Sequence, residues 1–321
     1  MRENPPMHIP DGFLSAGVAA GTWAAGAGAV GWALRAERSL PERVPAGTLG
    51  ALSAFVFAAQ LVNVPLVPGT SGHLVGAMLA AALVGPWRGI VVMAVVLAVQ
   101  ALLFQDGGVT AFGANLLAMG AAGGLAGHAV ASLVARLVPG VRGLVAGPVA
   151  GAFVGILLGA ALVALLLALS GLYPASAVLP VMLALHVPIA LLEAALTGAI
   201  LATVLRWRPD LVRGLQGSRA RALAPAPVLG TLAIALAAAA FLAPFASPLP
   251  DGLESVAEKL GFAGAARALW PAPAPDYALP GLALGRAGTA LAGAAGTLVA
   301  AALAWALSRG LGPRPEARPH R

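Results

Sequence analysis

The chain has 321 residues, of which 60% are hydrophobic and 10% charged, and its mean hydropathy is +0.90; soluble domains carry about 25% charged residues, so a soluble globular protein is excluded. The net charge of +7 would suit a nucleic-acid binder if the basic residues gathered into one polar region, and they do not. Cysteine is absent, which removes disulfides and thiolate metal sites.

The apolar runs are long, rich in Ala, Leu, Val and Gly, and without a period of two, so they read as membrane helices rather than barrel strands. A helix needs roughly 20 apolar residues to cross the hydrocarbon layer. In chain order the runs fall at 14–34, 47–64, 73–87, 89–104, 112–135, 144–170, 178–205, 228–246 and 282–307. The fold class is therefore an all-α polytopic transmembrane bundle of about nine spans, seven plus two. The third run is short and polar at its start, as in a tilted or partly re-entrant segment. Residues 1–34 do not read as a cleaved signal peptide, because such peptides carry positive charge before the apolar run. Here Asp11 precedes it, and Arg35 and Arg38 follow it.

Lys and Arg in short loops set the orientation. With the N-terminus outside and the C-terminus cytoplasmic, 15 of the 19 basic residues lie inside, at Arg35, Arg38, Arg43, Arg88, Arg136, Arg142, Arg206, Arg208, Arg213, Arg219, Arg221, Arg309, Arg314, Arg318 and Arg321. Only Arg2, Lys259, Arg267 and Arg286 lie outside. This asymmetry accounts for the basic character through a lipid bilayer, with no nucleic acid.

The basic stretch Arg206–Arg221 divides the chain. Residues 1–6 form an N-terminal extension and 7–208 a seven-helix part. Residues 209–227 are a cytoplasmic linker. Residues 228–308 are a two-helix part around an outside loop, 247–281, and 309–321 are a cytoplasmic tail.

The sharpest local signal is Met7-His8-Ile9-Pro10-Asp11-Gly12-Phe13-Leu14-Ser15. A His that follows a residue with a free amine chelates through that amine, its own amide nitrogen and Nδ1. A fourth nitrogen then completes a tetragonal site of the Ni(II) or Cu(II) kind. The plainer reading is a Pro-Asp-Gly turn into the first helix, with His8 on the surface. His73, in Pro68-Gly69-Thr70-Ser71-Gly72-His73, is the candidate fourth ligand, since among the five histidines only His8 and His73 fall at the outer face. Ser71 or Thr70 is a candidate cap for the next helix, and Ser71 is also a candidate to steady the metal-binding histidines from outside the ligand set. Gln60, Asn63, Gln100, Asp106 and Asn115 lie at similar depth and are candidates to steady the His-bearing loop; for Gln60 and Gln100, helix–helix hydrogen bonding explains the amides equally well. His186 and Glu193, seven apart in the seventh span, read either as a proton relay or as a buried structural pair. Gly17, Gly21, Ala24 and Gly28 form a small-residue stripe suited to close packing, inside the chain or against a partner.

Residues 7–15, Pro-Gly-Thr-Ser-Gly-His-Leu-Val-Gly at 68–76, Gly-Pro-Trp at 85–87 and Asp-Gly-Gly-Val-Thr-Ala-Phe-Gly-Ala-Asn at 106–115 resemble the CbiM/NikM family. Pro-Asp-Gly-Leu-Glu at 250–254, with Asp276-Tyr277 further on, resembles the CbiN/NikN small subunit. The resemblance implies a fused substrate-capture component of an energy-coupling factor importer for cobalt or nickel in the cell inner membrane. It implies Met7, His8 and His73 as metal ligands, and as partners a transmembrane coupling (T) subunit and cytoplasmic ATPase subunits. The transported Ni2+ or Co2+ is the ligand, no catalytic cofactor is implied, and no nucleotide-binding motif is present, so the chain does not read as an enzyme. Two features depart from the family. Met1–Pro6 precede Met7, so that its nitrogen is an amide joined to Pro6 and no free amine unless the chain begins at Met7. Ala118-Met119-Gly120 stands for the family's Asn-Met-Gly. The alternative is a stand-alone secondary metal transporter or channel using His186 and Glu193.

Overall fold

A computed structural model describes residues 8–39, 44–207, 225–281 and 284–310. The extension 1–6, the candidate ligand Met7 and most of the expected linker and tail lie outside the described residues.

The chain is mostly helical. The helices are α1 (Ala16–Ser39), α2 (Ala46–Gln60), α3 (Ala77–Val84), α4 (Pro86–Val99), α5 (Phe112–Asn115), α6 (Gly127–Leu137), α7 (Val141–Leu169), α8 (Ala175–Trp207), α9 (Pro225–Ala237), α10 (Gly252–Leu260) and α11 (Arg286–Gly310). Three π-helical stretches extend α4 over Gln100–Phe104, join α5 to α6 over Leu116–Ala126, and extend α9 over Ala238–Leu242. A short hairpin, β1 (Val64–Val67) and β2 (Thr70–Gly72), pairs antiparallel.

Among the described residues six helical stretches are long and apolar enough to cross a membrane: Pro86–Phe104, Phe112–Leu137, Val141–Leu169, Ala175–Trp207, Pro227–Phe245 and Arg286–Arg309. The 24-residue α1 and the 15-residue apolar α2 stand beside them. The run expected to span at 73–87 does not form one continuous helix. Positive φ at Gly76 and Gly85 confines α3 to eight residues, about 12 Å at 1.5 Å per residue, well short of the ~30 Å hydrocarbon layer.

Irregular backbone at membrane depth needs partners for its N–H groups. Glu193 on α8 supplies them, accepting from Val75 N–H at 2.6 Å and Gly76 N–H at 2.9 Å. His186 Nδ1–H donates within its own helix to the Met182 carbonyl at 2.8 Å. The two residues thus serve different neighbours. At the far end Arg88 pairs with Glu37, Nε to Oε2 at 2.6 Å.

Small residues set the tightest helix contacts. A Cβ at Gly127 would lie 2.7 Å from the Gly151 carbonyl, and one at Gly151 would lie 2.3 Å from that of Gly127. Such contacts let α6 and α7 approach backbone to backbone. The stripe Gly17, Gly21, Gly28 behaves differently: a Cβ at any of them meets nothing within 4 Å. That face of α1 is not packed inside the chain. Instead α1 uses Thr22, whose carbonyl would lie 2.3 Å from a Cβ on Gly113.

The C-terminal part packs α11 against α2, where a Cβ at Gly50 would come within 2.8 Å of the Ala301 carbonyl. Its loop returns across the end of the bundle that carries His8 and His73. Ser247 N–H donates to the Asn63 carbonyl at 2.9 Å, Ser71 N–H to the Pro250 carbonyl at 2.8 Å, and Arg267 N–H to the Asp11 carbonyl at 2.8 Å.

Gly113→Ala places its methyl against backbone that has no side-chain slack, and should cost roughly 1–3 kcal/mol. Gly28→Ala should be neutral. Thermal unfolding of the two variants in detergent checks this; equal stability would mean that α1 and α5 are not in backbone contact.

Candidate metal centre

Residues 8–13 carry little regular structure, yet His8, Ile9, Asp11 and Phe13 are buried. Buried backbone must find partners, and the loop 105–111 with α5 provides them. The Asn115 side chain clamps one residue from both sides: its Oδ1 accepts from Ile9 N–H at 3.0 Å and its Nδ2 donates to the Ile9 carbonyl at 3.1 Å. Gly108 N–H donates to the same carbonyl at 2.8 Å. Asp11 Oδ1 accepts from Thr110 N–H at 2.7 Å and from the Thr110 hydroxyl. Glycine is required at 108, because a Cβ there would lie 2.3 Å from Asp11 N.

This clamp delivers the His8 ring into a cavity of about 100 Å³. The Nδ1 atom of His8 lies 2.9 Å from Asp106 Oδ1, while Nε2 is buried with no hydrogen-bond partner. A carboxylate that accepts from one imidazole nitrogen fixes the tautomer and raises the basicity of the other, which is the arrangement found behind many metal-bound histidines. His73 enters from the segment after β2. Its Nδ1–H donates to the Leu74 carbonyl at 3.2 Å, which leaves Nε2 as the acceptor of the neutral ring. The ring centres of His8 and His73 are 6.2 Å apart. Two imidazoles that share an ion at about 2.0–2.1 Å each have centres roughly 4.5–6.5 Å apart, depending on the ligand angle, so the spacing fits one ion. Among the described residues, no three His, Cys, Asp or Glu side chains stand close enough to hold an ion by themselves.

The electrostatics separate the two rings. Burial opposes charge on His8, but Asp106 outweighs it and raises the ring above its ordinary value. The same pairing lowers Asp106 against the pull of burial. Burial, then the neighbouring His8, lower His73 to about 4. His73 therefore stays neutral, whereas His8 holds its proton to higher pH, and any ion taken by the His8 ring would have to displace that proton.

The remaining candidates fall into different places. Gln60 Nε2 donates to the Val75 carbonyl at 2.7 Å and its Oε1 accepts from Gln100 Nε2 at 2.7 Å. Gln60 thus steadies the backbone two residues beyond His73. Ser71 is not a helix cap; its hydroxyl donates to the Leu249 carbonyl at 2.6 Å and holds the C-terminal loop. Asn63 binds that loop at Ser247 and lies outside the His8–His73 cavity. The His8 ring is also turned differently from the terminal chelate, which needs Nδ1 free; here Nδ1 faces Asp106.

Several groups were not foreseen as part of the site. Asp251, Gly252 and Leu253 line the cavity, as do His186, Met119 and Met182. The cavity wall thus draws on both sides of the expected linker, while the two candidate imidazoles precede it. Gly252 sits on the His186 ring so closely that a Cβ would lie 2.6 Å from Cε1. Asp251 caps α10 in a reciprocal capping box with Glu254, and burial raises Asp251 to about 7. Tyr277 donates to Asp106 Oδ2 at 2.7 Å and stacks on Phe104 at 4.5 Å between centres. Asp276 and Tyr277 both take left-handed backbone, φ +52° and +57°, at roughly 1–3 kcal/mol each; the hydrogen bond and the stacking offset part of this. The sequence signal for the C-terminal groups was the run of polar and Gly residues at 250–254 and 276–277, and His186 stood out as an ionisable residue within a span without a link to this cavity.

Residues 8–211 match the CbiM family, described as a cobalt uptake substrate-specific transmembrane region, and residues 226–312 match the PDGLE domain. A putative fused nickel transport protein NikMN of Archaeoglobus fulgidus is 33% identical over 303 residues, covering 94% of this chain and 98% of that protein. The fused nickel transport protein NikMN of Rhodobacter capsulatus is 41% identical over 119 residues, 36% of this chain and 34% of that one. The crystal structure of a truncated transition-metal transporter superposes with a TM-score of 0.57 at 30% identity, over 62% of this chain and 99% of that one.

Asp106→Asn tests the electrostatics. Below its raised pKa the His8 ring holds a proton that competes with a metal ion, so affinity falls as pH falls through that value. Without the carboxylate the ring holds its proton less tightly, and the acid loss should move to lower pH. At alkaline pH the variant should bind Co2+ about 10–100-fold more weakly, because the ring is less basic and less well oriented. Co2+ titrations between about pH 5 and 9 check both effects.

Proposed function

This chain belongs to the CbiM family of cobalt-uptake substrate-specific transmembrane regions, with a PDGLE domain in the same chain, and we propose that it is the ion-capturing membrane component of an importer for divalent nickel or cobalt. The observation that carries this is the pair of buried imidazoles, each held through Nδ1 and spaced for one ion. Two imidazoles do not saturate such an ion. The further donors of this reading are the Met7 nitrogen and the His8 amide, which favour a planar nitrogen set and hence nickel. Loading by that chelate turns the His8 ring and breaks its bond to Asp106; loading through Nε2 keeps the bond.

Capture is at the extracytoplasmic face in this reading. Support comes from helix polarity: Arg35, Arg88, Arg136, Arg142, Arg206 and Arg309 lie at helix ends opposite the His8–His73 end, and basic residues favour the cytoplasmic side. The count of nine spans, the N-terminus-out orientation and the division near 208–227 belong to the same proposal. Energy would come from a transmembrane coupling subunit and cytoplasmic ATPases in the cell inner membrane. A stand-alone proton-driven transporter needs a free intramembrane carboxylate, and both oxygens of Glu193 are engaged by backbone N–H groups.

His73→Ala and His8→Ala should each weaken Ni2+ binding by more than the ~10–100-fold that losing an outer hydrogen-bond partner costs. His128→Ala should retain it. Isothermal titration of the purified full-length variants decides, and equal loss in all three would place the ion elsewhere. The Met7 donor has its own check: a form that begins at Met7, verified by mass, should bind Ni2+ more tightly than the form that begins at Met1 and show a planar-site absorption band that the longer form lacks. Identical affinity and spectrum would leave His8 and His73 side chains as the whole protein contribution.

A further inference from the structure

Among the described residues, the non-glycine residues with left-handed backbone are Gln105, Asp276 and Tyr277, at φ +56°, +52° and +57°. All of them flank one hydrogen bond. Gln105 immediately precedes Asp106, and Asp276 precedes Tyr277, whose hydroxyl donates to Asp106 Oδ2 at 2.7 Å. The two partners are 171 residues apart, one in the CbiM part and the other in the PDGLE part. Residues other than glycine seldom enter this backbone region. Such strain persists only where the surroundings over-determine it, and it gathers at functional sites.

The surroundings here do over-determine it. The Tyr277 ring stacks on Phe104, with 4.5 Å between centres and 16° between planes, and meets Phe57 edge-on at 6.3 Å. Tyr277 N–H donates to the Ala274 carbonyl at 3.1 Å, and Ala274 N–H to the Leu103 carbonyl at 3.0 Å. On the facing turn, the N–H groups of Gln105 and Asp106 both donate to the Gln100 carbonyl. Two strained turns, each fixed by its own neighbours, thus meet in a single contact.

Docking of the C-terminal loop does not account for that contact. Backbone bonds at Ser247, Pro250 and Arg267 already hold the loop, as does the Thr70–Ser255 hydroxyl pair. The Tyr277 ring can stack on Phe104 with or without its hydroxyl. The hydroxyl matters to Asp106, whose Oδ1 faces His8 Nδ1 at 2.9 Å while Oδ2 receives Tyr277. The last torsion of an Asp side chain is broad. One partner leaves the carboxylate plane loose; a partner on each oxygen fixes it.

We propose that Tyr277 is a positioning residue for ion capture: through its hydroxyl it sets the plane of the Asp106 carboxylate, and so the angle at which the His8 ring offers Nε2 to the cavity. Tyr277 stands behind Asp106 and does not line the His8–His73 cavity, so it touches no ion. One side chain of the PDGLE part thereby acts on a ligand of the CbiM part. The inference rests on the reading of His8 as a ligand, loaded through Nε2 with its Asp106 bond intact.

The test is a double-mutant cycle on the full chain. Co2+ affinity is measured at alkaline pH for the unmodified protein, Y277F, D106N and the two changes together. Phe keeps the ring stacked on Phe104, so the change removes the hydroxyl alone. Losing the partner directly behind a metal ligand costs about 10–100-fold; one bond further out, Y277F should weaken Co2+ binding about 3–10-fold. In the D106N background the same change should cost less than about 2-fold, because its route to His8 is already cut. The Co2+ absorption bands of Y277F should also shift toward those of D106N. An unchanged affinity in Y277F overturns the inference. So does an equal loss in both backgrounds, which would assign the hydroxyl to loop docking and not to Asp106. The underlying reading fails separately: if H8A binds Co2+ as tightly as the unmodified chain, His8 is no ligand, whatever Y277F does.

Discussion

The molecule depends on immobilising a stretch of irregular chain, residues 8–11, inside a helical bundle. Such a stretch brings unpaired N–H and C=O groups with it, and each must be satisfied or left at a cost of about 1–3 kcal/mol. The Asn115 amide answers this at Ile9 with one donor and one acceptor, and Arg267 answers it at the Asp11 carbonyl from the other part of the chain. With the backbone fixed, His8 sets its Nδ1 against Asp106 and lines the cavity. The glycines at 107 and 108 follow from the same constraint. A Cβ at Gly107 would come within 3.0 Å of His8 Cβ, so the loop stays thin to let the segment lie flat.

The Pro-Asp-Gly-Leu-Glu run shows how a short motif closes such a site. The Pro250 carbonyl receives Ser71 N–H beside His73. Asp251 and Glu254 cap α10 reciprocally, which starts the helix at the cavity wall. Gly252 has no side chain because the His186 ring occupies that space, and Leu253 is buried in the core. The two-helix part therefore forms one face of the His8–His73 cavity and is more than an appendage packed on α2. Thr70 and Ser255, with their hydroxyls 3.0 Å apart, tie the hairpin to the same helix.

Much of this was legible in the sequence because polar groups stand out in an apolar chain. His8, His73, Asp106 and Asn115 were each visible as isolated polar residues near predicted span ends, and the structure brings all four to one place. The 73–87 segment was partly legible: its hydropathy is that of a span, its shortness and polar start pointed to a tilted or re-entrant segment, and Gly76 and Gly85 mark where the helix is interrupted. The partners of Ser71 and Gln60 were hidden because both act on backbone carbonyls, which carry no sequence signal. His186 and Asp251 were seen, but their place in the cavity wall depends on how the returning loop lands. The Gly17–Gly28 stripe was read as suited to packing inside the chain or against a partner, and inside the chain α1 turns its other side, at Thr22, to Gly113; periodicity shows that a helix has a small-residue face without showing what lies opposite.

The amides of α2 and α4 make sense once the mountings of the two imidazoles are followed together. His8 rests on Asp106, and Asp106 accepts from Tyr277. The Tyr277 hydroxyl also meets the Gln100 side chain. Gln100 donates to Gln60, and Gln60 to the Val75 carbonyl. Val75 N–H returns to Glu193, two residues beyond His73. The polar chain therefore runs from one imidazole to the mounting of the other through the apolar interior, where each member left unpaired would be expensive and each paired member polarises the next. Its consequence is mechanical. The 6.2 Å between the rings is set by a connected scaffold instead of by two independent loops. The spacing of the two rings is thus fixed in folding, and a ligand that took both rings where they stand would meet no further ordering cost.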